Sequence, residues 1–319
     1  MTKNNQGRCK IAILGATGHI AKGLIADFYN DPQFELFLFA RSMDKLTHFL
    51  DENGMSCGVR CIPIPIDTIE GKYDALINCT GVGNLAGLET AADNIFLLTE
   101  MFDNMIIKYL KANREAVYIN MSSGAVCGDD FSSPAREDSR NMINVSDIDR
   151  KTYYSIAKLN SEAKHRSLKD LMITDLRVFS YFSRFIDMGS KFLVTEIIRS
   201  IKDKAVFKTN SVNIKRDYIG HKDLGSLVRK CFSNARNDSF DVYSQAPVSK
   251  TEMLEAYKNE FGLKYEVVDD LELLNPTGIK PMYYSEDRKA LSIGFEPKYS
   301  SVETLIGETK YILRGGEKQ

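Results

Sequence analysis

The sequence predicts an α/β protein built on a doubly wound parallel sheet, and three features of its first half indicate this. Continuous apolar runs of strand length alternate with longer amphipathic segments. Runs without polar alternation suit strands that are buried on both faces, and helices between them suit the crossovers of a parallel sheet. A glycine-containing stretch, ILGATGHIAKG at 13–23, joins the first apolar run to the first helical segment.

The elements follow in chain order from these patterns. We expect strands at 10–15, 34–40, 59–66, 74–81 and 116–123, and helices at 19–30, 90–112 and 152–168. Further on, we expect helices at 190–203 and 251–262, and short strands at 205–209 and 265–270. No repeat, low-complexity run or flexible linker is visible, so the second part should pack directly on the first. We therefore expect a sheet-bearing domain at 1–175 and a smaller C-terminal α/β part at 176–319, with a segment near 205–245 returning to the first domain.

Composition and charge exclude several classes of function. The 319 residues carry 42 Lys+Arg and 43 Asp+Glu, so the chain lacks the basic character of a nucleic-acid-binding protein. The sequence has no run of about 18 apolar residues and no apolar leader segment. The six cysteines lack the paired spacing of a zinc site. We expect a cytoplasmic protein with reduced, mostly buried thiols, no metal site and no membrane partner.

The glycines of the opening stretch suit a phosphate-binding turn. Gly15 would permit the tight turn off the first strand, and Gly18 would let backbone approach a pyrophosphate at the amino end of the helix. The third position of the pattern needs only a small side chain, which Ala21 supplies. The pattern is also compatible with a turn that binds nothing, but its place between strand and helix favours a dinucleotide.

The second predicted strand ends in FARS, where NAD-binding proteins have an acidic residue for the ribose 2′-hydroxyl. Arg41 and Ser42 stand there instead. A guanidinium and a hydroxyl suit a 2′-phosphate. We therefore expect NADP as the cofactor, with NAD possible.

Tyr154 and Lys158 in YYSIAK (153–158) are four residues apart and share one face of a helix. A free tyrosine is a poor acid or base at neutral pH, and an ammonium one helical turn away would favour its phenolate. Tyr153 has Ala157 at the corresponding position and so lacks this partner. The pair predicts a proton-transferring tyrosine, although a surface Tyr–Lys pair has the same spacing.

The fifth predicted strand ends in NMSSGAVCGD (120–129). Ligands bind at the carboxyl ends of strands in doubly wound sheets, and a hydroxyl there can bond a substrate carbonyl or alcohol. Ser122 and Ser123 should point to opposite sides of the strand, so we expect only one of them to face the site.

Together these motifs resemble the extended short-chain dehydrogenase/reductase family, which has a Rossmann domain and includes nucleotide-sugar epimerases, dehydratases and ketoreductases. The resemblance runs over nearly the whole chain. It is carried by GATGHIA (15–21), Asp67 after IPIPI, CTG (79–81), DNI (93–95), SSGAVCGD (122–129), YSIAK (154–158), LRVFSYFS (176–183), RDYIGHKDLGSL (216–227) and IGFEP (293–297).

The resemblance implies a role for each matched position. Ser123, Tyr154 and Lys158 would form the catalytic set, with Tyr154 as acid/base and Lys158 also bonding the nicotinamide ribose. The implied cofactor-binding residues are Gly15, Thr17, Gly18, His19, Ile20, Arg41, Ser42, Asp67, Thr80 and Gly81, together with Tyr154 and Lys158. The implied substrate-binding residues are Ser123, Ser180, Arg184 and Arg216, with Arg216 on the diphosphate of a nucleotide sugar. The resemblance also implies a homodimer that pairs through 90–112 and 152–168.

Departures from the family pattern narrow the activity. Ser180, Ser183 and Arg184 replace the Asn, Gly and Pro of one motif, so the resemblance supports hydride transfer more fully than nucleotide-sugar binding, and Arg184 could add a phosphate contact. Gly124 and Ala125 replace the acidic pair of the 4,6-dehydratases, which disfavours elimination of water.

We therefore expect NADPH-dependent reduction of a keto group on a nucleotide-activated deoxysugar, an activity suited to polysaccharide biosynthesis. Two alternatives stay open. One is a nucleotide-sugar epimerase that uses the same three residues with NAD(P). The other, from a different class, is a dinucleotide sensor that has kept the fold and lost catalysis.

Overall fold

The computed structural model of the protein describes residues 7–65, 67–81, 94–268 and 280–315. Its strands are β1 (Cys9–Leu14), β2 (Phe34–Ala40), β3 (Arg60–Pro63), β4 (Ala75–Asn78), β5 (Val117–Ser123), β6 (Ile173–Val178), β7 (Ser180–Tyr181), β8 (Val206–Thr209), β9 (Lys215–Arg216), β10 (Tyr218–Ile219), β11 (Asp238–Val242), β12 (Val248–Ser249), β13 (Lys264–Val267) and β14 (Met282–Tyr283). Its helices are α1 (His19–Phe28), α2 (Met43–Glu52), α3 (Ile95–Ala112), α4 (Tyr153–Ser167), α5 (Leu193–Lys202), α6 (His221–Ser233), α7 (Lys250–Phe261) and α8 (Ser301–Leu313).

The central sheet has seven strands in the order β3-β2-β1-β4-β5-β6-β11. Every neighbouring pair in it is parallel. The direction of sheet growth reverses between β1 and β4, and in such sheets the loops after the two strands flank a ligand crevice. The predicted doubly wound, Rossmann-like sheet is confirmed.

Helices cover both faces of this sheet. Ile11 and Ile13 of β1 face a core formed with α1, α2 and α6, whereas Ala12 and Leu14 face a second core formed with α3. Both faces of the strand are therefore buried, which explains its continuous apolar sequence.

A third core lies in the C-terminal part of the chain, where α5, α7 and α8 pack around Phe182, Ile197 and Tyr257. The smaller strands pair around it, as β7 with β10, β8 with β13, and β9 with β12 and β14. This part also contributes to the main sheet through β11, and Phe295 packs in the core of α1, α2 and α6.

Several elements were not expected from the sequence, among them α2, α6, α8, β6 and β11. β6 and β11 interrupt their apolar pattern with Asp175, Arg177 and Asp241, which form ion pairs in the interior. In α2, only Leu46, Phe49 and Leu50 are buried, so its apolar stripe is short. The strand expected at 59–66 spans only Arg60–Pro63, and the expected segments 90–93 and 269–270 lie outside the described residues.

The expectation of mostly buried thiols was wrong. Cys231 is buried, Cys57 and Cys61 are exposed, and the other three are half-buried. All six cysteines lie within the described residues and form no disulfide. Among the helices of the described part, none has the length and apolarity needed to cross a bilayer. The same residues contain no group of three or more His, Cys, Asp or Glu side chains that could hold a metal ion.

A buried charged network joins α3 and α4 to the sheet. His165 of α4 is fully buried, with Nδ1 2.9 Å from Asp175 Oδ1 on β6 and Nε2 2.7 Å from Asp103 Oδ1 on α3. The Tyr118 hydroxyl donates to Asp103 over 2.8 Å, and the Asn120 amide donates to Asp175 over 2.7 Å. The network therefore links two helices to two strands through hydrogen-bonded charges.

The pKa of His165 is governed by this network. Burial alone would lower it, but hydrogen bonds to Asp103 and Asp175 and their charges outweigh burial and raise the pKa from 6.5 to about 9. Asp103 has a lowered pKa because the bond from His165 and the neighbouring positive charges outweigh its own burial. His165 is therefore an imidazolium ion at neutral pH.

We predict that His165→Gln destabilises the protein by about 3–5 kcal/mol near neutral pH, because two buried carboxylates lose their shared cation. The stabilisation from a raised pKa is complete below 6.5 and is lost as the pH rises through about 9. The difference in free energy of unfolding between wild type and variant, measured in urea, should therefore shrink between about pH 6 and about pH 10. His48→Gln in α2 is the matched control, because its side chain is 74% exposed. A difference that does not change with pH would contradict this account.

Candidate active site

The glycine turn between β1 and α1 is tied to both neighbouring strands. Gly15 has a φ of 76°, which favours glycine. A Cβ on Gly15 would lie 2.8 Å from the Cys79 carbonyl oxygen after β4. The backbone N–H groups of Gly15 and Ala16 both donate to the Phe39 carbonyl of β2 over 3.0 Å. The turn therefore lies at the junction of three strands, where β1 and β4 diverge.

The amino end of α1 fits a pyrophosphate. Gly18 is its N-cap and makes no side-chain capping bond, and the first turn contains no acidic residue. Thr17 and Ile20 flank this end and are half-buried. Backbone N–H groups at such an end bind anions, helped by the helix dipole. The residues present therefore fit the dinucleotide implied by the sequence.

The turn after β4 is also open to a ligand. Thr80 donates a hydrogen bond from its backbone N–H to Asn78 Oδ1 over 3.0 Å, and its hydroxyl donates to the same oxygen. Gly81 has a φ of 158°, and an added Cβ would have no atom of the described residues within 4 Å. Small residues thus keep space free beside the glycine turn.

Arg41 is exposed directly after β2, and no carboxylate of the described residues pairs with it. Ser42 is the N-cap of α2, where its Oγ accepts the Lys45 N–H over 3.3 Å. Asp67 is exposed in the chain segment that follows β3. Of the residues predicted to select the cofactor, Arg41 therefore has a guanidinium without a carboxylate partner in the described part of the chain, whereas the Ser42 oxygen already has a structural bond.

His19 faces inward from α1 and not towards the crevice. Its Nε2 is 2.9 Å from Ser183 Oγ, and its ring packs edge-on against Tyr181 at 4.7 Å between centroids. Burial lowers the pKa of His19 from 6.5 to about 4. The neutral side chain joins the glycine turn to the chain after β7, so only the backbone of His19 is available to a cofactor.

The three predicted catalytic residues meet at the carboxyl end of β5. Lys158 is only 6% exposed and donates from Nζ to the Met121 carbonyl of β5 over 2.9 Å. The same Nζ is 6.0 Å from the centre of the Tyr154 ring. Ser123, the last residue of β5, is buried, and Tyr154 is half-buried. An ammonium, a phenol and a hydroxyl are thus brought together by one strand and one helix.

Ser122 and Ser123 point in different directions, as predicted. The Ser122 hydroxyl donates to Glu162 Oε1 over 2.6 Å, and Glu162 is held by Arg177 at 2.7 Å. Ser123 Oγ lies 3.2 Å from the Tyr283 hydroxyl and accepts the Ala125 N–H over 3.2 Å. Ser122 is therefore part of the packing between α4 and the sheet, and Ser123 is the serine at the candidate site.

An aromatic wall stands beside Ser123. The Tyr283 ring lies 4.7 Å from Phe131 and 5.3 Å from Phe179 between centroids. A Cβ on Gly124 would lie 2.3 Å from the Phe179 ring, so an acidic side chain at position 124 would displace Phe179. Sequence reasoning missed these aromatic residues, since no motif connects segments so far apart in the chain.

Two cations flank the same wall. Arg216 donates to the carbonyls of Lys215 over 2.8 Å and Lys280 over 2.6 Å, and its guanidinium lies 5.7 Å from the centre of the Tyr283 ring. Burial lowers the pKa of Arg216, and no carboxylate of the described segments pairs with it. Lys280 is buried with Nζ 3.0 Å from Asp129 Oδ1. The wall therefore carries a surplus of positive charge that suits an anion.

The remaining predicted substrate residues lie elsewhere or are already bonded. Ser180 is half-buried in β7, which pairs with β10. Arg184 forms a bidentate ion pair with Glu308 at 2.9 and 2.8 Å, and its guanidinium lies 3.2 Å from the centre of the Tyr311 ring. The phosphate contact considered for Arg184 thus has a competitor within the chain, because Glu308 uses the donors that a phosphate would need.

The fold is shared with solved structures of nucleotide-sugar enzymes. UDP-glucose 4-epimerase from Thermotoga maritima, solved with UDP-glucose, aligns with a TM-score of 0.80 at 14% identity over 97% of this chain and 100% of that chain. UDP-glucose-4-epimerase from Stenotrophomonas maltophila, solved with NAD and formylated UDP-arabinopyranose, gives 0.80 at 14% identity over 97% and 98%. dTDP-glucose 4,6-dehydratase from Bacillus anthracis, in complex with NAD, gives 0.74 at 11% identity over 97% and 97%. At these identities the likeness concerns the fold.

The family of the chain is assigned from its sequence and not from the shared fold. No curated protein matches it. The model of the NAD dependent epimerase/dehydratase family matches residues 11–246, which include the glycine turn, Ser123, Tyr154, Lys158 and Arg216. This match covers well over half of the chain, and the chain therefore belongs to the NAD-dependent epimerase/dehydratase family of enzymes.

Proposed function

We propose that this protein reduces a keto group on a nucleotide-activated sugar, with the hydride drawn from NADPH. The observation that carries the proposal is the convergence of Ser123, Tyr154 and Lys158 at the end of β5, on the same edge of the sheet as the glycine turn. A hydroxyl donor, a phenolic proton and an ammonium in one place are what a carbonyl oxygen needs as it becomes an alcohol.

Each of the three side chains has one task. Ser123 donates a hydrogen bond to the carbonyl oxygen, and Tyr154 transfers its proton to that oxygen as negative charge develops. Lys158, fixed by the Met121 carbonyl at 2.9 Å, keeps its ammonium near the phenolate that Tyr154 becomes. The nicotinamide, when bound, supplies the hydride that the keto carbon receives. The product alcohol thus gains one hydride at carbon and one proton at oxygen.

The choice of NADPH rests on Arg41. Its guanidinium is exposed directly after β2. The Phe39 carbonyl of β2 accepts hydrogen bonds from the glycine turn, so Arg41 and the glycine turn lie close to each other. An exposed guanidinium that no carboxylate of the described residues pairs with suits a 2′-phosphate, whereas the acid that bonds a free 2′-hydroxyl is replaced by Arg41 at this strand end. NAD, which is present in two of the similar structures, is the alternative cofactor.

A nucleotide sugar as substrate is supported by the charges beside Ser123. Arg216 has a planar fork of donors and, among the described residues, no carboxylate partner, so a diphosphate would complete its bonding. Of the three similar structures, the two epimerases were solved with UDP-glucose and with formylated UDP-arabinopyranose. The third is a dTDP-glucose 4,6-dehydratase. Gly124 packs under Phe179 and leaves no room for the first acidic residue of a dehydratase pair, so reduction is favoured over elimination.

Epimerisation is the second candidate, favoured by the names of two of the similar structures. The same three residues could take the proton from a sugar hydroxyl and return it, while the nicotinamide, when bound, would take up the hydride and return it to the opposite face of the sugar. An epimerase would retain its cofactor through the turnover and would consume no NADPH. Bound nucleotide extracted from the purified protein, together with the stoichiometry of NADPH loss, separates the two reactions.

A homodimer is part of this proposal. Leu97, Leu98 and Met101 on α3 are 68%, 40% and 38% exposed. α3 packs along α4, where the Asn160 amide donates to Glu100 over 2.8 Å. An exposed apolar row beside a helix pair is suited to packing against a second copy.

We predict that Tyr154→Phe lowers kcat by about 100-fold or more, because the proton donor is lost while the ring remains. The assay follows NADPH oxidation with dTDP- and UDP-linked 4-keto-6-deoxysugars. Tyr153→Phe is the matched control, because that ring packs on Phe96 at 5.8 Å and lies one residue off the Lys158 face. Turnover by Tyr154→Phe within a few-fold of wild type would contradict the assigned role. NADPH binding by the wild type without turnover of any of these sugars would favour the sensor.

We predict that Arg41→Ala weakens NADPH binding by about 10- to 100-fold, because a charge-assisted contact to the 2′-phosphate is lost. Binding of NADH, which lacks that phosphate, should be unchanged. Titration calorimetry with both nucleotides measures the difference. Arg114→Ala, which removes the same charge from an exposed turn before β5, should affect neither. Equal weakening of NADPH and NADH would overturn the assignment of Arg41.

We predict that the wild type has the mass of a dimer by light scattering at micromolar concentration, and that Leu97→Glu with Met101→Glu converts it to a monomer. Two buried carboxylates facing each other across the interface would carry a large desolvation cost. Leu291→Glu, at a 52% exposed position after β14, should leave the mass unchanged. A monomeric wild type would rule out the proposed interface.

A further inference from the structure

Tyr283 is held rigidly next to Ser123. Its backbone lies in β14, where it pairs with Arg216 of β9, and the neighbouring Met282 N–H donates to the Phe131 carbonyl over 2.9 Å. Its ring is packed edge-on against Phe131 and tilted against Phe179. The position of the hydroxyl, 3.2 Å from Ser123 Oγ, is therefore set by strand pairing and by ring packing together.

The bonding capacity of Ser123 limits what it can do. A serine hydroxyl has one proton to donate and two lone pairs to accept with. The Ala125 N–H already occupies one lone pair over 3.2 Å. The Tyr283 hydroxyl either donates to the second lone pair of Ser123 or accepts the Ser123 proton. In the first case the Ser123 proton is available to a substrate, and in the second it is not.

The surroundings of Tyr283 decide between the two cases. Burial holds the pKa of Tyr283 well above its ordinary value, and the bond with Ser123 opposes this only in part, so the phenol keeps its proton. Among the hydrogen bonds of the described residues, Ser123 is the sole partner of the Tyr283 hydroxyl. A phenolic proton that is packed beside Phe131 and Phe179 and left without an acceptor is costly, so Tyr283 donates to Ser123.

We propose that Tyr283 is a positioning residue that fixes Ser123 as a hydrogen-bond donor to the substrate. Tyr283 and the Ala125 N–H fill both acceptor sites of Ser123 Oγ, and the remaining Ser123 proton is directed to the substrate oxygen. This inference rests on the proposed function, in which Ser123 bonds a carbonyl that becomes an alkoxide. Tyr283 acts only through Ser123 and adds no proton transfer of its own.

The arrangement favours the transition state over the bound ketone. Two hydrogen bonds accepted by Ser123 polarise its O–H group and make it a stronger donor. Such a donor gains most where negative charge develops on the substrate oxygen. Loss of the Tyr283 hydroxyl should therefore lower kcat and leave KM nearly unchanged.

The test is Tyr283→Phe, which keeps the aromatic packing and removes only the hydroxyl. With NADPH and the 4-keto-6-deoxysugar that the wild type reduces fastest, we expect kcat to fall about 10-fold or more, as for other supporting residues. We expect KM for the sugar and for NADPH to stay within about two-fold, because the lost bond acts on the transition state. Tyr257→Phe is the matched control, because it removes a buried hydroxyl that bonds Thr309 at 2.8 Å in the third core. It should lower thermal stability and leave kcat unchanged.

The double variant Ser123→Ala/Tyr283→Phe separates indirect from direct action. If Tyr283 works only through Ser123, the double variant should be as slow as Ser123→Ala alone. A further fall by the full factor of Tyr283→Phe would mean that Tyr283 contacts the substrate itself, and would overturn the proposal. Wild-type kcat in Tyr283→Phe would overturn it as well. A wild-type protein that reduces none of the sugars overturns the proposed function, and this role of Tyr283 with it.

Discussion

The structure depends on a buried polar stripe along α4. Lys158, Glu162 and His165 follow one another at helical spacing and bond the Met121 carbonyl, the Ser122 hydroxyl and Asp175 of the sheet. Burying a charged group is costly unless the group is paired or hydrogen-bonded. Because all three groups have partners in only one alignment of the helix with the sheet, this stripe fixes the register of α4 on β5 and β6. Because Tyr154 lies one turn before Lys158, the same register brings its phenol to the end of β5.

The charges of the chain fall into two groups with different consequences. Arg177, Arg184 and Arg229 are paired with carboxylates and hold elements together. Arg41 and Arg216 have no carboxylate partner among the described residues. Arg41 follows the carboxyl end of β2, and Arg216 lies beside the aromatic wall. Paired arginines stabilise the fold, whereas unpaired ones leave donors for an anionic ligand. A nearly neutral protein can thus present local sites for phosphate without a global positive field.

The fold could be predicted where burial alone shaped the sequence, and it could not where ion pairs replaced apolar side chains. β1, β2 and β5 consist mostly of apolar residues, so their strands were expected. β6 carries Asp175 and Arg177 in its middle, and their charged partners lie outside the strand, on α4 and β11. A pattern read along the chain has no access to those partners. The contact of Tyr283 with Ser123 was not predicted for the same reason, because the two residues are 160 positions apart in sequence.

The sequence by itself determined the sheet class, the place of the glycine turn and the spacing of Tyr154 and Lys158, because each follows from local periodicity or from a motif. The family resemblance selected Ser123, whereas only the tertiary structure decided which arginines of the described residues lack a carboxylate partner and what surrounds the two serines. Ser122 and Ser123 are chemically identical, and the Glu162 carboxylate on α4 distinguishes them. Arg184 and Arg216 both matched substrate positions, and Glu308 of α8 engages only the first. Such choices depend on the partners that folding brings together, and partners distant in sequence leave no local pattern.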